Sequence, residues 1–240
     1  MKKFAIITGG AIRVGKAISI RLAEEGYNII LLYKNSAEEA KNTAKIIEGQ
    51  GRECILVKCD LSEIKNLDSL NKIFSDYKNI NLLVNNSSIF EKFSFAETDE
   101  ENFDKHFAIN FKAPFFLTQK YYNYCKNNNQ NGHVINILDS YIKTNSNAYF
   151  AYLLSKKSLA NFTEMVAKEI GDFVRVNAVS IGLLLPSKFW DINKINEKAK
   201  TLPLKRKPEI EDVLEAILYL DKAKNITGAN IFVDSGQHLM

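Results

Sequence analysis

The chain has 240 residues, 46% of them hydrophobic, and 32 Lys and Arg against 28 Asp and Glu give a net charge of +4. That is apolar material for one large core and excludes a disordered chain; a mild excess of scattered positive charge makes no case for nucleic acid. No apolar run approaches the roughly 18 residues of a membrane span, and the opening MKKFAIITGG has about 5 apolar residues before Gly-Gly, short for a signal peptide, so a cytoplasmic protein is expected.

Residues 4–8 form an apolar run without alternation, as expected of a parallel strand covered on both faces. Gly9 and Gly10 break it, and Val14, Ala17, Ile18 and Leu22 then recur at helical spacing until Gly26. Residues 28–33 read as a second buried strand, and Ser36 as the cap of a helix over 37–49. A third strand, 54–58, leads through Asp60-Leu61-Ser62 into a helix over 63–77. The fourth strand is 81–84, a long helical region spans 99–126, and the fifth strand is 134–138. A helix then runs to about residue 170. Strand six is 174–179, followed by a loop with a short helical piece over 181–205, a helix over 209–220 and a last strand over 230–233. Strands alternating with helices imply βαβ units, a parallel sheet and a doubly wound α/β (Rossmann) fold, one domain over residues 1–240. Cys54, Cys59 and Cys125 lack metal-ligand spacing and read as free thiols, and His106, His133 and His238 are scattered, so no metal is expected.

In such a sheet a ligand binds at the carboxyl ends of the strands. The first strand-to-helix turn reads TGGAIRVG from Thr8 to Gly15. Its glycines let the backbone approach a pyrophosphate, and the helix N-terminus offers free N–H groups and a positive dipole end. At the end of strand two stand Tyr33, Lys34, Asn35 and Ser36, with no acid before Glu38. An acid there selects a ribose 2′-hydroxyl and a base a 2′-phosphate, so NADPH is the expected cofactor, with Lys34 and a nearby Arg13 as its cations. Tyr152 and Lys156 stand at i and i+4, which puts phenol and ammonium on one helix face. A nearby cation is expected to lower the phenol pKa, toward a group that exchanges a proton near neutrality.

The Gly-rich turn, Asp60-Leu61, Asn85-Asn86-Ser87-Ser88, Asn110, Tyr152/Lys156 and Val233-Asp234-Ser235-Gly236 together resemble the short-chain dehydrogenase/reductase family over essentially the whole chain. The resemblance implies hydride transfer from nicotinamide C4, with Tyr152 as proton donor and Asn110 and Lys156 holding a water chain and the ribose. It assigns Asp60 to the adenine amino group, and the segment of Asn86, Ser87 and Ser88 to ribose and nicotinamide. Gly9, Arg13, Val14, Leu61, Ile181, Gly182 and Leu183 complete the expected cofactor contacts. Asp139, 13 residues before Tyr152, stands where most members carry a catalytic serine; Ser140 is the rival on a one-residue slip. Arg13 replaces a usual glycine, N-N-S-S replaces N-N-A-G, and Ile181-Gly182 replaces Pro-Gly, which is expected to loosen the following loop.

These departures are similar to the pteridine reductases, including the bacterial branch that acts on dihydromonapterin and weakly on dihydrofolate. That resemblance implies a dihydropterin substrate held by Arg13, Ser88, Phe90, Asp139 and Tyr152, with Phe90 stacking the ring against nicotinamide, and a homotetramer. Chemistry agrees: a carboxylate repels a developing oxyanion but accepts from the N–H and amino donors of a pterin. Trp190 is open between pocket lining and packing, and the tail from His238 to Met240 is expected to reach a neighbouring subunit. A ketone reductase acting on a 3-oxoacyl thioester is the second reading, and a non-catalytic NADP-binding sensor the third.

Overall fold

In the central strands, successive side chains are apolar on both faces, which places the sheet between two helical layers. The computed structural model describes residues 2–145, 148–187 and 189–240. In β1 (Lys3–Thr8), Phe4 and Ile6 enter one core, Ala5 and Ile7 the other; in β2 (Tyr27–Tyr33), Ile30 and Leu32 oppose Ile29 and Leu31 in the same way. These strands join β3 (Cys54–Lys58), β4 (Ile80–Asn85), β5 (Gly132–Asp139), β6 (Val174–Ile181) and β7 (Asn230–Val233). Among the described residues the sheet has seven strands in the order β3-β2-β1-β4-β5-β6-β7, with every pair parallel.

Helices α1 (Arg13–Glu24), α2 (Ala37–Gly49) and α8 (Ile210–Lys222) cover one face through Ile18, Leu22, Ala40, Ile47, Val213 and Ile217. Helices α3 (Ser69–Asp76), α5 (Ala113–Asn127) and α6 (Phe150–Glu169) supply Leu70, Ile73, Leu117, Tyr121 and Ala167 to the other. The chain reverses its winding between β1 and β4, which opens a crevice at the carboxyl ends of those strands.

Several boundaries differ from the sequence reading. The region expected as one helix over 99–126 is α4 (Glu100–Phe107), a π-helical turn (Ala108–Lys112) and α5. Pro114 has no N–H to return to the turn before it, and the register widens just ahead of it. The expected helix over 63–77 begins as a 3-10 segment, Ile64–Asp68. Ser36 precedes α2 but makes no side-chain capping hydrogen bond. Strand β5 runs one residue beyond the expected end, so Asp139 is its last residue, in register with Ile181 of β6.

At the amino ends of the strands lies a buried polar cluster. Asn177 Nδ2 donates to His133 Nε2 at 3.1 Å, which leaves the His133 Nδ1–H facing Asp221, 3.6 Å away; Tyr27 Oη donates to Asp221 Oδ2 at 2.9 Å. Burial pushes the His133 imidazole down from 6.5 to about 4. The unfolded chain therefore takes up a proton near pH 6.5 that the folded chain refuses until about pH 4. Stability attributable to His133 is full above pH 6.5 and is lost as pH falls through that window, on the order of 3 kcal/mol in all. Urea denaturation at pH 7, 5.5 and 4.5 is expected to show this loss, with a shallower slope in His133→Gln.

Candidate active site

The turn between β1 and α1 is shaped for close approach. Gly9 has φ +64°, and a Cβ there would lie 2.8 Å from Ser87 Oγ. A Cβ on Gly15 would lie 2.0 Å from the Gly9 carbonyl oxygen and 2.6 Å from Asn86 Nδ2. Asn86 stitches the turn to the end of β4: its Nδ2 donates to Thr8 O at 2.9 Å and to Gly9 O at 3.3 Å, and the N–H groups of Asn86 and Ser87 both donate to Thr8 Oγ1 at 2.9 Å. Helix α1 has no side-chain cap and no acid in its first turn, so its first amides stand ready for an anion. Arg13 sits at φ +53°, a conformation natural for glycine, at a cost of about 1–2 kcal/mol. Its guanidinium donates to Pro186 O at 2.7 Å and so ties the turn to the loop after β6. The backbone cradle fits a dinucleotide phosphate.

A cavity of about 520 Å³ follows the carboxyl ends of the strands, with this turn and Val14 in its lining. On the β2–β3 side of this turn stand Tyr33, Lys34, Asn35 and Ser36 with Asp60 and Leu61. Lys34 Nζ is 2.7 Å from Asp60 Oδ2, so the expected phosphate cation already holds an ion pair. The sequence reading treated the two residues separately and missed this pairing, because it joins the ends of two strands adjacent only in the folded sheet.

Asp139, Tyr152 and Lys156 line the cavity on the other side of the turn, beyond the end of β4. Tyr152 Oη donates to Asp139 Oδ2 at 2.7 Å, and Asp139 Oδ1 accepts from the Tyr141 N–H at 2.8 Å. Asp139, rather than Ser140, faces the phenol: Ser140 is fully buried and its Oγ has no hydrogen-bond partner among the described residues. Lys156, one turn after Tyr152 on α6, is 3% exposed and donates from Nζ to Ile137 O at 2.8 Å. Burial lowers its pKa from 10.5 to about 8, against the opposing charge of Asp139. The expected lowering of the Tyr152 pKa is not what this environment produces. Burial first, then the charge of Asp139 and its hydrogen bond, push the phenol well above 10, because ionising it would place a second anion 2.7 Å from the carboxylate. Burial likewise raises the Asp139 carboxyl, partly offset by the donors from Tyr141 and Tyr152 and by Lys156.

Asn110 lies in the π-helical turn, and its side chain is spent internally. Oδ1 accepts from the Ile89 N–H at 2.9 Å and from Ser88 Oγ at 3.1 Å, while Nδ2 donates to Ile89 O and to Ser155 Oγ, each at 3.1 Å. It positions the segment leading to Phe90 rather than presenting its amide to a ligand. Phe90 lines the cavity, stacks on Tyr149 (centroids 4.7 Å apart, planes at 17°) and meets Tyr152 edge-on at 4.8 Å and Phe189 at 5.7 Å. Sequence reasoning missed Tyr149. Tyr149 is the N-cap of α6, with non-helical φ −136° and ψ 52°, so helical spacing from Tyr152 carried no signal for it.

The loop after β6 is held despite the missing proline. Gly182 N donates to Val233 O at 3.0 Å, and Leu183 N to Gln237 Oε1 at 3.4 Å. Gln237, 4% exposed, was also missed. A Cβ on Gly182 would lie 2.7 Å from Asp234 Cβ, so glycine is required where the tail crosses. Trp190 lines the cavity, and beyond it Asp191 caps α7 (Ile192–Ala199) by accepting from Lys194 N at 2.9 Å. Lys188, within this loop, lies outside the described residues. Among the described residues no helix is long and apolar enough to cross a membrane.

The family model described as enoyl-(acyl carrier protein) reductase matches residues 10–238. Among curated proteins, 3-oxoacyl-[acyl-carrier-protein] reductase FabG of Staphylococcus epidermidis is 27% identical over all of this chain and all of its own. Among solved structures, FolM alternative dihydrofolate reductase 1 from Brucella canis, complexed with NADP, superposes with a TM-score of 0.93 at 32% identity, covering 99% of this chain and 94% of that one. The Brucella suis FolM, also with NADP, gives the same TM-score and identity over 99% and 96%. With the sheet order, the glycine cradle and the Tyr152–Lys156 pair, these similarities place the chain in the short-chain dehydrogenase/reductase family, as an oxidoreductase.

Proposed function

We propose that this chain is an NADPH-dependent pteridine reductase, converting a dihydropterin (dihydromonapterin, dihydrobiopterin or dihydrofolate) to the tetrahydro form. The contact that carries this reading is the Asp139 carboxylate 2.7 Å from the Tyr152 phenol, inside a cavity whose wall includes Phe90. The NADP-bound FolM structures, at 32% identity over nearly the whole chain, support both the cofactor and the substrate class.

In this reading the residues divide the work. The cradle of Gly9 and Gly15 and the open start of α1 receive the pyrophosphate, and Lys34 and Arg13 supply positive charge at the cofactor. Lys156 holds the ribose. The bound cofactor supplies a hydride from its reduced nicotinamide to the C=N carbon of the substrate. Asp139 accepts hydrogen bonds from the amino and N–H donors of the pterin and orients the ring. Tyr152 keeps its proton until the ring nitrogen gains electron density, then gives it up directly or through an ordered water. Phe90 offers an aromatic face to the flat heterocycle. Ser88, exposed beside the phosphate turn, reaches cofactor and substrate. A homotetramer fits the aromatic ladder of Phe103, Phe107, Phe111 and Phe115, whose outer end, Phe103, is 39% exposed.

A second reading, reduction of a 3-oxoacyl thioester, is favoured by the curated relatives at 27% identity. NADPH oxidation measured with the three dihydropterins and with an acetoacetyl thioester separates the two. The proposal expects pterin turnover at least tenfold above the thioester; thioester turnover alone overturns it.

A further inference from the structure

Asp60 and Lys34 together suggest how the adenosine end is tuned. Lys34 follows the last residue of β2 and Asp60 lies just past β3, whose ends are paired through Tyr33 and Lys58. Asp60 Oδ1 is already satisfied, accepting from Ser62 N at 3.0 Å and Ser62 Oγ at 2.7 Å. That fixes the carboxylate and leaves Oδ2 to Lys34 at 2.7 Å. Burial pushes the Asp60 carboxyl up, but the hydrogen bonds from Lys34 and Ser62 and the charge of Lys34 outweigh it and leave the group below its ordinary value, so it is ionised at neutral pH. Of the other cations lining this cavity, Arg13 donates to Pro186 O and Lys156 is buried with its Nζ on Ile137 O. Lys34 is thus the cation placed to meet a 2′-phosphate, and it is held by an anion.

We propose that Asp60 sets the NADPH-to-NADH preference by competing with the 2′-phosphate for Lys34. This rests on the NADPH reading above. A 2′-phosphate must draw the Lys34 ammonium from Asp60 and share its neighbourhood with that carboxylate. A 2′-hydroxyl is neutral, asks for no such exchange and can donate to Asp60 itself. The carboxylate therefore moderates the advantage of NADPH. Lys34 and Asp60 side chains are 50% and 31% exposed, so solvent screens the effect and keeps it modest.

The test is titration of the purified full chain with NADPH, NADH and adenosine 2′,5′-bisphosphate, in wild type, Asp60→Asn, Lys34→Ala and the double variant, with Ser62→Ala as control. Asp60→Asn is expected to raise the ratio of NADPH to NADH affinity about three- to fivefold. In the Lys34→Ala background the same substitution is expected to change it less than twofold. Ser62→Ala, which keeps the charge pair, is expected to leave the ratio within twofold of wild type. An unchanged or lowered ratio in Asp60→Asn overturns the proposal, as does an equal rise with Lys34 absent, which would assign the effect to the Asp60 charge alone. Wild type binding NADH as tightly as NADPH overturns the NADPH reading instead; the coupling between Asp60 and Lys34 is then still decided by the bisphosphate affinities.

Discussion

Tyr152→Phe is expected to lower kcat for dihydropterin reduction by about 10²–10⁴-fold, the range for loss of a positioned general acid. The ring stays, so packing against Phe90 at 4.8 Å is kept. What disappears is the hydroxyl that donates to Asp139 at 2.7 Å. Lys156 is untouched, and its Nζ stays anchored to Ile137 O, so NADPH affinity is expected to stay within about threefold. The variant should also shift the pH profile. The phenol hydrogen bond stabilises the ionised Asp139, so its loss moves that carboxyl further up from a value burial already raises. The residual rate is then expected to fall as pH is lowered, starting at higher pH than in wild type. Steady-state rates from pH 5.5 to 8.5, with NADPH affinity from fluorescence titration, check both statements.

Asp139→Ser is expected to reduce kcat/KM for a dihydropterin by about 10–150-fold, the loss of one hydrogen bond to a charged acceptor. A serine hydroxyl can still accept from the Tyr141 N–H and can donate to a carbonyl oxygen, which suits a ketone better than an N–H donor. Turnover of an acetoacetyl thioester is expected to rise in the same variant. Stability is expected to change little, because relief of the carboxylate's desolvation is offset by loss of its attraction for the buried Lys156 ammonium. An unfolded variant would show in the far-UV circular dichroism.

The doubly wound fold was legible because each strand is an apolar run bounded by turn residues and each helix repeats at 3.6 residues. Strand β3 falls at its expected limits, Cys54–Lys58, between Gly51 and Asp60. The π-helical turn around Asn110 was not legible, since Phe107, Ala108 and Ile109 continue the helical pattern and only Pro114 hints at a break. Within the site, local spacing brought Tyr152 and Lys156 together, and the 13-residue offset singled out Asp139, whose aim at the phenol appears only with β5 extended to its full length. Long-range pairings stayed hidden. Arg13 with Pro186, Lys34 with Asp60 and Leu183 with Gln237 join segments far apart in sequence, and no local pattern encodes them. The Tyr152 pKa expectation failed for a related reason: proximity to Lys156 was readable, but the depth of burial and the effect of the Asp139 charge were not.

The most direct test compares kcat/KM for dihydrobiopterin and for an acetoacetyl thioester, with NADPH, in wild type and in Asp139→Ser. A carboxylate that fits the pocket to a nitrogen heterocycle predicts a pterin preference in wild type that collapses or inverts in the variant. A pterin rate untouched by the substitution, or a wild-type preference for the thioester, would contradict it.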